Sequence, residues 1–257
     1  MKIISLNTWG GNEFPALMDF VRKHSEDTDV FCFQEILSTF SGVLESNGAR
    51  ANLYQELSNA LVDHRGSFSS AQEGYDLKER TNFPIAFGLA QFVRDKLRAE
   101  GGNVFVLGHR NSRSGDASTT PRNLQWATFG HQGEIFTIAH FHGHYAGPGR
   151  GKGDNELRLL QSKKLKETLA GFPGHKIFCG DLNLNPDTES LGILEEGMIN
   201  LVKLFGITDT RGELYDKAER FADYMLISPE LEERIKNFAV PNVAVSDHLP
   251  LILELED

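Results

Sequence analysis

Eight residues spread along the whole chain share one local setting. Asn7, Glu35, His140, Asp181, Asn183, Asp223, Asp247 and His248 each stand at or near the end of a β-prone run. Their side chains are carboxylates, carboxamides and imidazoles, with no cysteine among them, so the donor set suits a hard cation, Mg²⁺ or Mn²⁺, better than structural zinc. A divalent ion held by Glu35 and Asp247 would polarise a phosphoryl oxygen and stabilise charge on a leaving oxygen. Asp181 could orient or deprotonate water. A histidine steered by a buried acid, as His248 would be by Asp223, can stabilise a pentavalent transition state or shuttle a proton. Each residue alone has an ordinary use: Asn7 in a turn, Glu35 as a surface charge, Asp247 as a cap, His140 as a core imidazole. Eight such coincidences in one chain argue for a shared site.

The stretch around Asp181 shows how these groups would be delivered. Ile177, Phe178 and Cys179 form an apolar run of the kind that fills a buried strand, and it stops at Gly180. An acid and two amides then alternate with leucines before Pro186 ends strand pairing. Period-two alternation puts Asp181, Asn183 and Asn185 on one side and Leu182 and Leu184 on the other. The N-terminus repeats the idea: Lys2 to Leu6 is β-prone and ends at Asn7, a helix is expected over 15–26, and Asp29 to Phe33 is a buried strand ending in Gln34-Glu35. A β–α–β order lays the two strands side by side and brings Asn7 and Glu35 to one edge.

Further along, a helix is expected over 51–62. Strands at 85–93 and 104–107 would pair as a hairpin through the charged turn at 96–102, and strands at 124–129 and 135–141 through His131-Gln132-Gly133. Asp154 reads as the N-cap of a helix over 156–169 that faces the core with Leu157, Leu160, Leu165 and Leu169. A short helix at 188–197, strands from Phe221 and from Phe238, and a closing strand at 251–255 complete the pattern. No repeat or linker divides the chain, so residues 1–257 are expected to form a single domain.

Composition narrows the function classes. A chain of 257 residues with 40% hydrophobic and 24% charged residues can bury a sizeable core. No apolar run approaches the roughly 20 residues needed to span a bilayer. The start of the chain lacks the apolar core of a secretory signal, so a cytoplasmic location is expected. Cys32 and Cys179 both lie in apolar strand-like runs, which favours two buried free thiols and a reducing compartment. A net charge of −10 works against broad binding to polyanions, which relies on Lys and Arg displacing counterions. Nucleic acid is therefore not the favoured partner, although the polar segment 109–122 carries Arg110, Arg113 and Arg122.

Two competing sites can be weighed from the residues. His140, His142 and His144 recur at spacing two and would form a zinc-binding face if the strand continued through them. The alternative is that only His140 lies on the strand and the others belong to the glycine-rich loop 143–153. That loop fails as a phosphate loop, because Lys152 is followed by Gly153 and Asp154 rather than Ser or Thr.

In order and spacing, Leu6-Asn7-Thr8-Trp9, Gln34-Glu35, Ala139-His140-Phe141, Gly180-Asp181-Leu182-Asn183, Asp223-Tyr224 and Ser246-Asp247-His248-Leu249-Pro250 resemble the endonuclease/exonuclease/phosphatase superfamily. The resemblance covers residues 3–255. It implies an α/β (α+β) four-layer αββα sandwich, with two mixed β-sheets face to face and helices outside, and hydrolysis of a phosphoester by metal-activated in-line attack of water. It also implies roles. Glu35 would be the main metal ligand with Asn7 and Asp247 contributing, Asp181 would position the water, and Asn183 would bind the phosphoryl group. His248 with Asp223 would contact the scissile phosphate, and His140 would stabilise the transition state or leaving group. Arg122 and His142 are further candidates for the substrate phosphate. Such a site serves nucleic acids, lipids and sugar phosphates alike. The leading expectation is a Mg²⁺- or Mn²⁺-dependent phosphodiesterase, a monomer acting on a small or short substrate. A nuclease using Arg110, Arg113, Arg122, Arg150 and Lys152, and a zinc site at the three histidines, are the alternatives.

Overall fold

Strands that carry apolar residues on both faces must be covered on both, and this requirement sets the layers. A computed structural model describes residues 1–256. The chain runs β1 (Lys2–Asn7), α1 (Phe14–Ser25), β2 (Val30–Ser38), β3 (Glu45–Ser46), β4 (Ala49–Arg50), α2 (Leu53–Ala60), β5 (His64–Glu73), β6 (Ala86–Arg94) and β7 (Glu100–Leu107). It continues through β8 (Arg122–His131), β9 (Glu134–Phe141), α3 (Glu156–Ala170), β10 (His175–Asp181), α4 (Glu189–Glu195), β11 (Ile199–Asn200), α5 (Leu201–Leu204), β12 (Asp223–Ile227), β13 (Ile235–Ala239) and β14 (Leu251–Leu255).

One six-stranded sheet has the order β13-β14-β1-β2-β6-β5, and the other β11-β12-β10-β9-β8-β7. In each, the central pair is parallel, β1 with β2 and β10 with β9, and the remaining pairs are antiparallel. The outer face of the first sheet, with Ile4, Leu6, Phe31 and Phe33, packs on Leu17 and Val21 of α1 and Leu53 and Leu57 of α2. Leu165 and Leu169 of α3 and Leu191 and Leu194 of α4 belong to the cluster that includes the second sheet and the space between sheets. The result is the expected helix–sheet–sheet–helix sandwich.

Along the inner faces the side chains become polar toward one rim. In β1 the series is Ile3, Ser5, Asn7; in β2 it is Val30, Cys32, Gln34; in β9 and its continuation Ile138, His140, His142; in β10 Ile177, Cys179, Asp181. β12 runs the other way and starts with Asp223, paired in register with Asp181. Parallel central strands thus end together, and their ends carry the polar groups. The two free cysteines meet between the sheets, one level below the rim.

Three local expectations are corrected. β6 and β7 do not pair: β6 lies between β2 and β5, whereas β7 is an edge strand against β8. A short 3₁₀ turn at Asp95–Leu97, followed by Arg98 in the left-handed region (φ 49°), carries the chain from one sheet to the other. Asn155, not Asp154, caps α3 by accepting from the Arg158 backbone N–H at 2.9 Å. Asp154 instead caps α4, accepting from the N–H groups of Glu189 and Ser190 at 2.8 and 2.9 Å. The buried face of α3 is Arg158, Gln161, Ser162, Leu165 and Leu169, and Leu157 and Leu160 face outward, because the Arg158 guanidinium turns inward to the carbonyls of Gly151 and Gly153.

Candidate active site

The polar rim opens into a cleft of about 290 Å³, lined among others by Glu35, Asp181, Asn183, Asp247 and His248. Each is aimed by a local departure from regular structure. On a regular β2, Glu35 would follow Gln34 onto the opposite, helix-covered face. Instead the ladder between β2 and β6 shifts register between Phe33 and Ile36, and Glu35 adopts φ 59°. This bulge brings the carboxylate into the cleft.

Asp181 ends β10, and Asn183 follows with φ 53°, its N–H donating to Asp181 Oδ1 at 2.9 Å. Gly180 makes this turn possible: at φ 130°, a Cβ there would strike the Phe141 carbonyl oxygen. Asn185, expected beside them, instead exchanges backbone bonds with Lys152 and Thr188 and does not line the cleft.

Asn7 links the two sheets. Its Nδ2 donates to Asp181 Oδ2 at 3.1 Å, and its Oδ1 accepts from the Trp9 N–H at 3.0 Å. His248 Nδ1 lies 2.8 and 3.0 Å from the two oxygens of Asp223, which fixes the proton on that nitrogen. Its Nε2 is 3.6 Å from Asp181 Oδ2 and is met by Arg211 Nη1. Burial and Arg211 both lower the ring's proton affinity, yet the carboxylates of Asp223, Asp247 and Asp181 outweigh them and raise it.

The histidine assignment is corrected. His140 is fully buried and lies outside the cleft. Its Nδ1 meets Gln34 Nε2 at 3.2 Å and its Nε2 meets Gln125 Oε1 at 3.0 Å, so both ring nitrogens are used within the sandwich. Burial alone pushes it down to about 3. His142 occupies the rim, its Nε2 3.7 Å from Asp181 Oδ2 and 3.8 Å from Glu35 Oε1. Two residues along a strand is about 7 Å, and this step separates the interior level from the rim. Gly143 permits the exit, because a Cβ there would strike the Leu182 carbonyl oxygen. His144 has left the strand; its N–H donates to Gln161 Oε1 at 2.8 Å. The three imidazoles therefore do not converge. Among the described residues the tightest potential ligand group of acids and histidines is Asp181, Asp223 and His248, where His248 and Asp223 already satisfy one another.

Electrostatics distinguish the carboxylates. Burial, reinforced by Asp247, pushes Glu35 up to about 7. Burial also acts to raise Asp181, but His248, Arg211 and Lys152 together hold it well below the usual carboxylate range. Half-buried Glu35 is thus crowded against a second acid beside an amide, and this oxygen-rich set fits a hard divalent cation.

Two cations around these groups differ in how visible they are from sequence. Arg122, the first residue of β8, lines the cleft. Arg211 had no sequence signal beyond a lone arginine in an irregular segment. It is placed because residues 210–212 pair with 247–249, Gly212 N donating to the Asp247 carbonyl at 3.1 Å and Leu249 N to that of Thr210 at 3.0 Å. Its Nη1 donates to Asp247 Oδ2 at 3.0 Å, and its guanidinium stacks 4.2 Å from the Tyr215 ring centroid. The candidate nuclease track divides: Arg110 pairs with Glu73 at the surface and Arg150 lies outside the cleft, whereas Arg113, stacked over Tyr75, lines it together with the buried Arg122 and Lys152.

The fold is thus a two-sheet sandwich that gathers acids, amides and imidazoles at one rim. The profile of the Endonuclease/Exonuclease/phosphatase family matches residues 4–248, and the chain belongs to that family. No curated protein matches it significantly. Among solved structures, an endonuclease/exonuclease/phosphatase family protein from Leptotrichia buccalis C-1013-b is similar at 19% identity and TM-score 0.72, with 100% of both chains covered. A mannosyl-6-phosphatase, Bt3783, from Bacteroides thetaiotaomicron VPI-5482 is similar at 17% identity and TM-score 0.70, again with 100% of both chains covered. TDP2 from D. rerio, complexed with a single-strand DNA product, is similar at 15% identity and TM-score 0.63, covering 98% of this chain and 97% of its own. At these identities the likeness concerns the fold.

Proposed function

We propose that this protein hydrolyses phosphoesters of small substrates by in-line attack of water, with Mg²⁺ or Mn²⁺ bound at Glu35, Asp247 and Asn7. The observation that carries the reading is the rim itself, where half-buried Glu35 and Asp247 stand against the ionised Asp181 and the His248–Asp223 pair. When bound, the cation would supply Lewis-acid polarisation of a phosphoryl oxygen. Asp181, held ionised and weakly basic, accepts a hydrogen bond from the attacking water and orients it. Asn183 Nδ2 and Arg122 donate to the non-bridging oxygens. His248, fixed by Asp223, stabilises charge developing on the phosphoryl group. His142, whose burial beside Arg122 holds it well below its ordinary value, is neutral and donates its N–H to the leaving oxygen. The P–O bond to the leaving group breaks as the bond to the water oxygen forms, the attacking water giving up a proton to solvent by way of Asp181 and the leaving oxygen, held by the His142 N–H, taking one from solvent. The cleft volume of about 290 Å³ and the net charge of −10 support a small substrate over a long polyanion. No helix among the described residues is long and apolar enough to cross a membrane.

The test is hydrolysis of p-nitrophenyl phosphate and bis(p-nitrophenyl) phosphate in chelator, Mg²⁺ or Mn²⁺, at rising salt. Turnover that needs the divalent ion and changes little with salt is expected. Equal rates in chelator would end the metal reading, and a steep salt dependence would favour a polyanionic substrate.

A further inference from the structure

Two positive charges in the cleft have no counter-charge of their own. Arg122 is 5% and Lys152 7% exposed, and both line the cleft. Lys152 Nζ donates to the Phe221 carbonyl at 2.8 Å, and the buried Nε of Arg122 has no acceptor. Among the described residues no carboxylate reaches ion-pair distance of either group. Arg211, the third buried cation lining the cleft, differs in being paired with Asp247 at 3.0 Å. A buried charge is costly unless paired. Burial pulls Lys152 down to about 8 and Arg122 down to about 10, and the charge of Asp181 acts favourably on both. Two such cations facing one small cleft call for negative charge from a ligand.

The amount of charge distinguishes ligands. A phosphodiester offers one negative charge over two non-bridging oxygens, whereas a terminal phosphate offers nearly two over three strong acceptor oxygens. Asn183 and Arg122 would supply donors for two oxygens, so a diester leaves the Lys152 charge, which otherwise meets only the Phe221 carbonyl and the Tyr215 ring, without an anionic counterpart. We propose that the cleft takes a terminal phosphomonoester of a small alcohol, held as its dianion, and that Lys152 is the side chain that distinguishes it from a diester. This rests on the phosphoester reading above and departs from the diester expected from the sequence. Lys152 is delivered by the glycine-rich loop, which gives that loop a role: Asn185 N donates to the Lys152 carbonyl at 3.0 Å, and the Arg158 guanidinium ties down the carbonyls of Gly151 and Gly153 on either side.

The experiment is calorimetric titration of methyl phosphate and dimethyl phosphate into the Mg²⁺-loaded protein, paired with rates on the mono- and bis-p-nitrophenyl esters. The wild type should bind methyl phosphate at least about 10-fold tighter. Lys152→Gln, which keeps a donor for the Phe221 carbonyl, should weaken methyl phosphate by about 10- to 100-fold, the value of one charged hydrogen bond, and dimethyl phosphate by no more than about threefold. The monoester-to-diester ratio of kcat/KM should fall in parallel, and Lys152→Arg should regain most of both. Equal affinity of the wild type for the two ligands, or equal losses in Lys152→Gln, would overturn the proposal. The binding pattern without metal-dependent hydrolysis of either ester would refute the catalytic reading and leave the ligand assignment standing.

Discussion

Two levels of the same inter-sheet space, one strand step apart, use similar residues to opposite ends. At the interior level His140, Gln34 and Gln125 bond to one another, Gln125 Nε2 donates to Ser67 at 2.9 Å, and Gln91 Nε2 donates to the Ile138 carbonyl at 3.0 Å. Only amide oxygens, those of Gln34 and Gln91, lack a donor there. At the rim the unmet groups on cleft-lining residues are Arg122 Nε, Arg211 Nε, His142 Nδ1 and Gln72 Oε1, beside crowded carboxylates. The interior level is neutral, and its donors are all met. The rim is charged and incomplete, and an incomplete polar network is where a ligand gains most.

Substitutions can break this contrast. The largest effect is expected for Asp181→Ala and His248→Ala, each lowering turnover of an aryl phosphoester by about 10³-fold or more while leaving the melting transition in place. Near-normal rates in both would remove the rim from the chemistry. Next comes the histidine pair. His142→Ala should lose about 10²-fold in kcat. His140→Ala should keep most of its rate but lose about 1–3 kcal/mol of stability, because Gln34 and Gln125 lose their partner; the reverse pattern would restore His140 to the site.

The interior level should also report itself through pH. His140 is held at about 3 when folded, against a model-peptide value of 6.5, so the unfolded chain binds the proton more readily between those values. Its contribution is intact above about pH 6.5 and is lost as pH falls, at about 1.4 kcal/mol per unit. Urea unfolding of the wild type and His140→Gln at pH 7 and pH 5 should show a smaller drop for the variant, and parallel drops would contradict the assignment. The smallest expected effect is on metal binding. Mg²⁺ should raise the wild-type melting temperature by a few degrees, through preferential binding to the folded state, and Glu35→Gln should abolish that rise. A persisting shift would place the ion elsewhere.

Much of this contrast was legible in the residues. Runs such as Ile177-Phe178-Cys179 declare buried strands, and the polar groups at their ends declare a shared rim, because strand alternation is a local property. The parallel neighbours β1 and β2 followed from the β–α–β order. The histidine choice did not, because His140 and His142 lie on the same face and differ only in depth, which no spacing reports. Arg211 was missed because a lone arginine in an irregular segment acquires meaning only when residues 247–249 are laid beside it. The β6–β7 hairpin was misjudged because two adjacent β-prone runs do not reveal that they join different sheets.

The sequence by itself determined the strand ends and the oxygen-rich donor chemistry, which depend on residue type and short-range periodicity, while the layers followed from the order of motifs and the family resemblance they carry. Only the tertiary structure decided which imidazole is spent inside and which reaches the cleft, how a bulge turns Glu35 from one face of its sheet to the other, and which buried cations are left without partners. Those outcomes depend on distances between segments far apart in the chain, set by how two twisted sheets pack rather than by any residue's neighbours in sequence.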